Sequence, residues 1–425
     1  MACSTRLSGV SSTSVTDLTG AAGAGRDGNS GGAHHRQPDE RRDGLRRAGF
    51  FLLPAILFLA VRQLGVLVLS VLSGVNNTTT HDSLTAWDGQ WFLGIAQGGY
   101  AGVPPGLVDA FGRRSFETPL AFFPGYPTAV RWLTESTGLA LPTAAFLLSG
   151  FFGVVTAYAL MKLGRMIRGG SDRVGYILVV LFAASPMGVV LSMAYSESMF
   201  CAAAAWALVF VLDRQWLAAG ACTAVAGLVR PTAAAVLLAV GVAVLLHVVR
   251  KREVWHPLAG LLVAPVGLVG YLTWVGVQLR PHAGWFDQLQ AWTDLQRRGW
   301  DSRFDWGQAT VTFAGKALGR SGNVLEIATI AILVAALVLV VIAIKQRLEL
   351  PLVLYGVGVL LMDLGSNGLM NSKARLLVPA FTLLIPLALA LAKRRTSTVV
   401  LTLCAAAVAS AWFGAYSLTI WQYAI

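Results

Sequence analysis

From about residue 48 to the C-terminus the chain alternates long apolar runs with short polar breaks. In lipid such runs can only be helices, because a bilayer offers no partner to an unpaired backbone N–H or C=O. The runs predict spans near 48–73, 141–163, 175–193, 197–212, 215–230, 232–249, 258–278, 324–344, 350–366, 375–392 and 397–415. The expected fold class is an all-α polytopic membrane protein, a bundle of about 11–12 transmembrane helices with short interfacial helices on its outer face. The stretch LAFFPGYPTAVRWL (120–133) is apolar too, but its two prolines and Arg131 predict a short re-entrant or interfacial helix that does not cross. Residues 1–47 lack the pattern. They are rich in Ser, Gly, Asp and Arg and bury too little apolar surface to offset ordering entropy, so a disordered cytoplasmic tail is expected before a membrane domain over 48–425.

Composition sharpens the class. The 425 residues are 56% hydrophobic and 13% charged, with a mean hydropathy of +0.64, whereas a soluble domain carries about 25% charged residues. The net charge of +12 does not point to nucleic acid, because the basic residues gather where the runs end. Arginines before the first run anchor it inside, and the clusters at 162–173, 214, 250–252, 345–347 and 393–395 fall on the same side if parity is kept. The other side then receives the 76–140 loop, AYSES (194–198), RPT (230–232), the 279–320 loop and SNGLMNSKARL (366–376). Four cysteines (Cys3, Cys201, Cys222, Cys404) show no CxxC pairing and the six histidines lack ligand spacing, so no disulfide framework or metal site is expected. Tandem sequons at Asn76 and Asn77 are too common a pattern to assign a secretory route.

Most unusual polar residues share that second side, as an active site built from loops and span ends would require. Asp88 stands in AWDGQWFLGIAQGGY (86–100), between Trp87 and Trp91. At an interface its partly desolvated carboxylate suits a general base, and it equally suits the N-cap of a short amphipathic helix closed by Gly98 and Gly99. Glu197 in YSESMF and Arg230 in GLVRPT stand at span ends, either as caps and snorkelling groups or as a polar platform. In the second reading Arg230 meets a phosphate, while Glu197 meets sugar hydroxyls or holds an arginine. Lys373 and Arg375 on the outer side break the positive-inside tendency, which a bound anion would explain. In the 279–320 loop, Trp285, Gln288, Leu289, Trp292 and Leu295 recur at helical spacing, which predicts an interfacial helix whose aromatic rings could also stack on an acceptor sugar. Asp294, Asp301 and Asp305 read as solvated loop acids.

AWDGQWFLGIAQGGY is similar to the HWD…xxIAxxGY stretch of the GPI mannosyltransferase 2 (PIG-V) family of GT-C membrane glycosyltransferases, and AFFPGYPTAVR resembles that family's FFPLFPxxxR. YSESMF and GLVRPTA match its later segments in order, and KARLLVPAF resembles a basic-proline element nearer the C-terminus. Ala86 stands where the eukaryotic pattern has histidine, and Gly125-Tyr126 replaces Leu-Phe; with the alanine- and arginine-rich composition this suggests a bacterial relative acting on a different acceptor.

The resemblance implies a GT-C-like bundle in a bacterial plasma membrane, N-terminus cytoplasmic and active site outside. It would transfer mannose, with inversion, from a polyprenyl-phosphate-mannose donor to a lipid or cell-envelope glycan acceptor. Such chemistry needs a base, for which Asp88 is the candidate, and cations for the leaving phosphate, for which Arg230, Lys373 and Arg375 are candidates. Trp87, Gln90, Trp91, Arg131, Tyr195 and Glu197 are candidates for substrate contact. No Gly-rich phosphate loop signals a nucleotide, and no cofactor, metal or nucleic-acid partner is assigned. The alternatives are a transporter or flippase of a lipid-linked sugar, a GT-C enzyme moving another sugar, and a membrane scaffold. A transporter usually shows two similar halves and mid-span charges, and no such halves are evident.

Overall fold

The computed structural model describes residues 37–251, 254–319, 323–368 and 370–421, with 37–50 and 251 as backbone alone. The chain divides into two units, Met1–Phe50 and Phe51–Ile425. As far as residue 36 the expected tail lies outside the described residues; from Gln37 the backbone is helical, where a disordered tail to residue 47 was expected. The local sequence explains the helix: Pro38 stands in the first turn with Asp39 and Glu40, an order that favours a helix start.

The second unit is an all-α polytopic membrane fold. Six of its helices are long and apolar enough to cross a bilayer: Phe51–Val75, Leu141–Met166, Ala233–Arg250, Trp255–Leu279, Val324–Lys345 and Thr396–Thr419. A pair bent by 70°, Met370–Leu376 and Phe381–Ala392, makes a seventh if counted as one span. Among the described residues there is no β-strand, only one isolated bridge between Phe304 and Ser366.

The runs expected as eleven spans are largely helical, but not all at full length. Glu197–Leu212, Trp216–Val229 and Leu350–Gly365 are apolar helices of 16, 14 and 16 residues. At 1.5 Å per residue they rise only ~21–24 Å, against a hydrocarbon core of about 30 Å. They are apolar on nearly every face, which is why their sequences read as spans; Glu197–Leu212 is enclosed by the bundle, while Trp216–Val229 keeps Leu217, Val225 and Leu228 exposed. The 175–193 run breaks because Pro186 restricts the residues before it, so the Asp172–Ala183 helix gives way to a 3-10 turn at Gly188–Leu191. The 120–133 stretch folds as a 3-10 turn and a helix at Gly125–Thr137, thirteen residues and too short to cross.

Charge separates the two ends of the bundle as the parity argument expected. At one end Lys162 pairs with Asp213 at 2.5 Å, the Arg168 amide donates to Glu349 at 2.9 Å, and Arg173 donates to the Arg394 carbonyl at 2.7 Å. At the other end the chain segments around Leu84, Tyr195, Arg230 and Arg375 meet.

The short Trp216–Val229 helix meets the Trp255–Leu279 span along glycines seven residues apart on each, Gly220 and Gly227 against Gly260 and Gly267. A β-carbon at Gly267 would collide with the Ala224 carbonyl oxygen, so the backbones approach as closely as membrane helices allow. Gly270, one turn on, has open space around it. Gly267→Leu is therefore expected to destabilise the fold by about 3 kcal/mol, read as a lower melting temperature in detergent. Gly270→Leu should leave it unchanged, and equal melting of both variants would contradict this packing.

Candidate active site

Asp88 opens the Asp88–Gly98 helix, but not as its cap. The N-cap position belongs to Trp87, whose backbone takes φ 56° and ψ −118°, a region that side-chain-bearing residues seldom adopt. This corrects the capping reading: Asp88 occupies the first helical turn and its carboxylate is left for another partner. Holding Trp87 there costs about 1–3 kcal/mol, and the surroundings enforce it. The Ala194 amide donates to the Leu84 carbonyl at 3.0 Å, and the Ala86 carbonyl accepts from the Gly89 amide at 3.1 Å and from the Tyr195 hydroxyl at 3.2 Å.

The carboxylate's partner is Arg375, whose Nη2 lies 2.9 Å from Asp88 Oδ2. Arg375 is mostly buried; its Nε stands 3.7 Å from Glu197 Oε1, and its guanidinium lies over the Tyr195 ring, 5.3 Å from the centroid. Glu197 Oε1 also receives Arg230 Nη1 at 2.7 Å, and that guanidinium donates to Ser196 Oγ at 3.1 Å. Two carboxylates and two guanidinium groups thus form a continuous, charge-balanced row. The acids differ in access: the Asp88 side chain is 31% exposed and the Glu197 side chain 0%. Asp88 faces the opening, and Glu197 holds both arginines from below. Burial, with Asp88 adding to it, keeps the Tyr195 phenol well above its ordinary value, so this hydroxyl is neutral.

Neighbouring elements fix the row's supports. Ser149 on the Leu141–Met166 helix donates to the Met193 carbonyl at 2.7 Å, and the buried Tyr126 hydroxyl lies 3.0 Å from Ser149 Oγ. Trp91 stacks on Phe122 at 5.0 Å and meets Trp300 edge-on, while Trp292 donates to the Ala121 carbonyl at 3.2 Å. The 279–320 loop carries a helix over the expected residues, Trp285–Trp300, with Trp285 exposed and Leu295 buried.

The expected site residues therefore sort by geometry. Asp88, Tyr195, Glu197, Arg230 and Arg375 come together, with Trp87 beside them. Trp91 is packed into the aromatic support, Gln90 points outward, and Arg131 pairs with Glu135 at 2.7 Å on an exposed helix face. Lys373 turns away from the row: its Nζ donates to the carbonyls of Asp363 and Ser366, at 2.5 and 2.9 Å, and closes the C-terminal end of the Leu350–Gly365 helix. Of the loop acids, Asp294 pairs with Arg280 at 2.6 Å, and Asp305 accepts from the Gly307 and Ala309 amides.

Two buried charges escaped the sequence reading. Asp363 is 3% exposed and stands beside Lys373, and Arg62 is 4% exposed midway along the first span. A β-carbon at Gly188 would touch both the Arg62 guanidinium and the Ala183 carbonyl, so Arg62 sits where the broken Asp172–Ala183 helix presents its negative end. The available signal was a lone charge inside an apolar run.

An apolar cleft of about 160 Å³ opens between the Val324–Lys345 helix and the bent pair, lined by Ala335, Ala336, Leu339, Leu377, Phe381 and Ala374, the residue before Arg375, among others. A larger cavity, about 560 Å³, lies at the opposite end near Arg214, Trp216, His247 and His256. We place the site at the row because an accessible acid and two arginines meet there. Among the described residues no three His, Cys, Asp or Glu side chains are grouped to hold a metal ion. No family model matches the chain, and no curated protein matches it.

Removing one member of a buried pair strands the other. Glu197→Gln and Arg230→Met are each expected to destabilise the protein by about 3–5 kcal/mol, with the double variant well short of the sum. Unfolding measured across the four proteins checks this; simply additive losses would break the pairing argument.

Proposed function

We propose that this protein is an inverting glycosyltransferase of the GT-C type that uses a polyprenyl-phosphate-mannose donor, with its site on the extracytoplasmic face. The observation that carries the reading is the pairing of the accessible Asp88 carboxylate with the buried Arg375, itself joined through Glu197 to Arg230. A lipid-linked sugar phosphate has three parts, and each has a counterpart here. Its hydrocarbon suits the cleft, its anionic phosphate suits Arg375 and Arg230, and its anomeric carbon requires an acceptor activated by a base. The segments carrying the resemblance to the GPI mannosyltransferase 2 family, around Asp88, Tyr126, Tyr195, Arg230 and Arg375, are the ones that converge; mannose as the sugar rests on that resemblance alone.

In this mechanism the donor phosphate takes the Arg375 guanidinium and loosens its hold on Asp88. The released carboxylate removes the proton of the acceptor hydroxyl as its oxygen attacks the anomeric carbon from the face opposite the phosphate. The sugar–phosphate C–O bond breaks, its electron pair leaves with the polyprenyl phosphate, and the arginines stabilise the added charge. Inversion follows from the single displacement. In the donor-free site the Asp88 carboxylate is engaged by Arg375.

The test is transfer by protein reconstituted in lipid, given radiolabelled polyprenyl-phosphate-mannose and an extract of host membrane lipids. Wild type is expected to yield a labelled mannosylated product, with Asp88→Asn and Asp88→Ala folded but about 100- to 10,000-fold slower. Variants as fast as wild type would remove Asp88 from the chemistry. Movement of the donor across the bilayer without transfer would replace the enzyme reading with transport.

A further inference from the structure

Tyr195 was expected to touch substrate, but it is completely buried. Its hydroxyl and its ring are each committed to a different member of the charged row. The hydroxyl donates to the Ala86 carbonyl, the peptide directly before the strained Trp87, and so helps fix the turn from which Asp88 projects. The ring lies beneath the Arg375 guanidinium, a cation–π contact in a desolvated setting. Its own backbone is held in turn, since Ser149 Oγ reaches the carbonyls of both Met193 and Tyr195 and is joined by the Tyr126 hydroxyl. Gly89 completes the contact: a β-carbon there would lie 3.5 Å from both the Ala194 carbonyl oxygen and the Tyr195 ring. One buried side chain thereby sets the position of the acid and of the arginine independently.

We propose that Tyr195 is a positioning residue that holds Asp88 through its hydroxyl and Arg375 through its ring, and contacts no substrate. This rests on the function proposed above, and it makes the two halves of the side chain separable. Tyr195→Phe keeps the ring and loses the Ala86 hydrogen bond, so it disturbs the base alone. Tyr195→Leu loses both.

The experiment combines transfer kinetics with equilibrium binding of bare polyprenyl phosphate to the protein in nanodiscs, which needs no reaction. Tyr195→Phe is expected to lower kcat about tenfold with the donor KM unchanged, as the loss of one buried hydrogen bond implies, and to bind polyprenyl phosphate as wild type does. Tyr195→Leu is expected to bind it about tenfold more weakly, because Arg375 loses its platform. A residue serving only to fill the core would lower the melting temperature and leave kcat and KM of the folded protein unmoved, and that result overturns the proposal. Unaltered polyprenyl phosphate binding by Tyr195→Leu overturns it as well. If Tyr195→Leu does not fold, the near-isosteric Tyr195→Phe decides alone: wild-type kcat overturns the assignment. If wild type transfers nothing, the proposed function fails separately, and the binding arm still decides whether the Tyr195 ring holds Arg375.

Discussion

Four charges that the interior of a membrane protein cannot tolerate singly are the constraint on which the Asp88 end of this molecule depends. Asp88, Arg375, Glu197 and Arg230 come from four separate stretches of chain, and each finds its opposite charge in another member of the row. Desolvating one ion costs several kcal/mol, so a misplaced helix would strand a charge as well as lose packing. The row therefore acts as a registration device: it fixes where the Glu197–Leu212 helix begins, where the Trp216–Val229 helix ends and where the bent pair enters the bundle. The strained Trp87 turn follows from the same need, since it brings the Asp88 carboxylate to Arg375.

Much of this was legible in the sequence, for identifiable reasons. Hydrophobic periodicity marked the helices, and the basic clusters sorted the loops to two ends, because both signals are local and repeated. Asp88, Glu197, Arg230 and Arg375 stood out as polar residues at the ends of apolar runs. Their pairing did not, since Glu197 and Arg230 meet across a helical hairpin and Arg375 arrives from far along the chain, a relation no local spacing encodes. Lys373, two residues from Arg375, faces elsewhere because neighbours at that spacing do not share a helix face. Asp363 and Arg62 were hidden as single charges within long apolar runs. About eleven spans were expected, and six helices, or seven with the bent pair, have full spanning length among the described residues, because a short apolar helix and a full-length one have the same composition.

Under the proposed function, the row also bears on how a hydrolytic side reaction would be avoided. A base kept free beside a reactive sugar phosphate would activate water as readily as an acceptor. Asp88 is paired with the same arginine that the proposed donor phosphate would claim, so donor binding and release of the acid would be coupled through one ion pair. Tyr195 and Glu197 hold that arginine from two further sides. In that proposal the apolar cleft lined by Ala374 would take the donor's hydrocarbon.

The most direct measurement of this coupling is a cryo-electron microscopy structure of the protein in nanodiscs with bare polyprenyl phosphate. The account predicts the phosphate against the Arg375 guanidinium, the hydrocarbon in the cleft lined by Ala374 and Phe381, and Asp88 parted from Arg375 toward the opening. A phosphate bound elsewhere, with the Asp88–Arg375 pair intact, would contradict it.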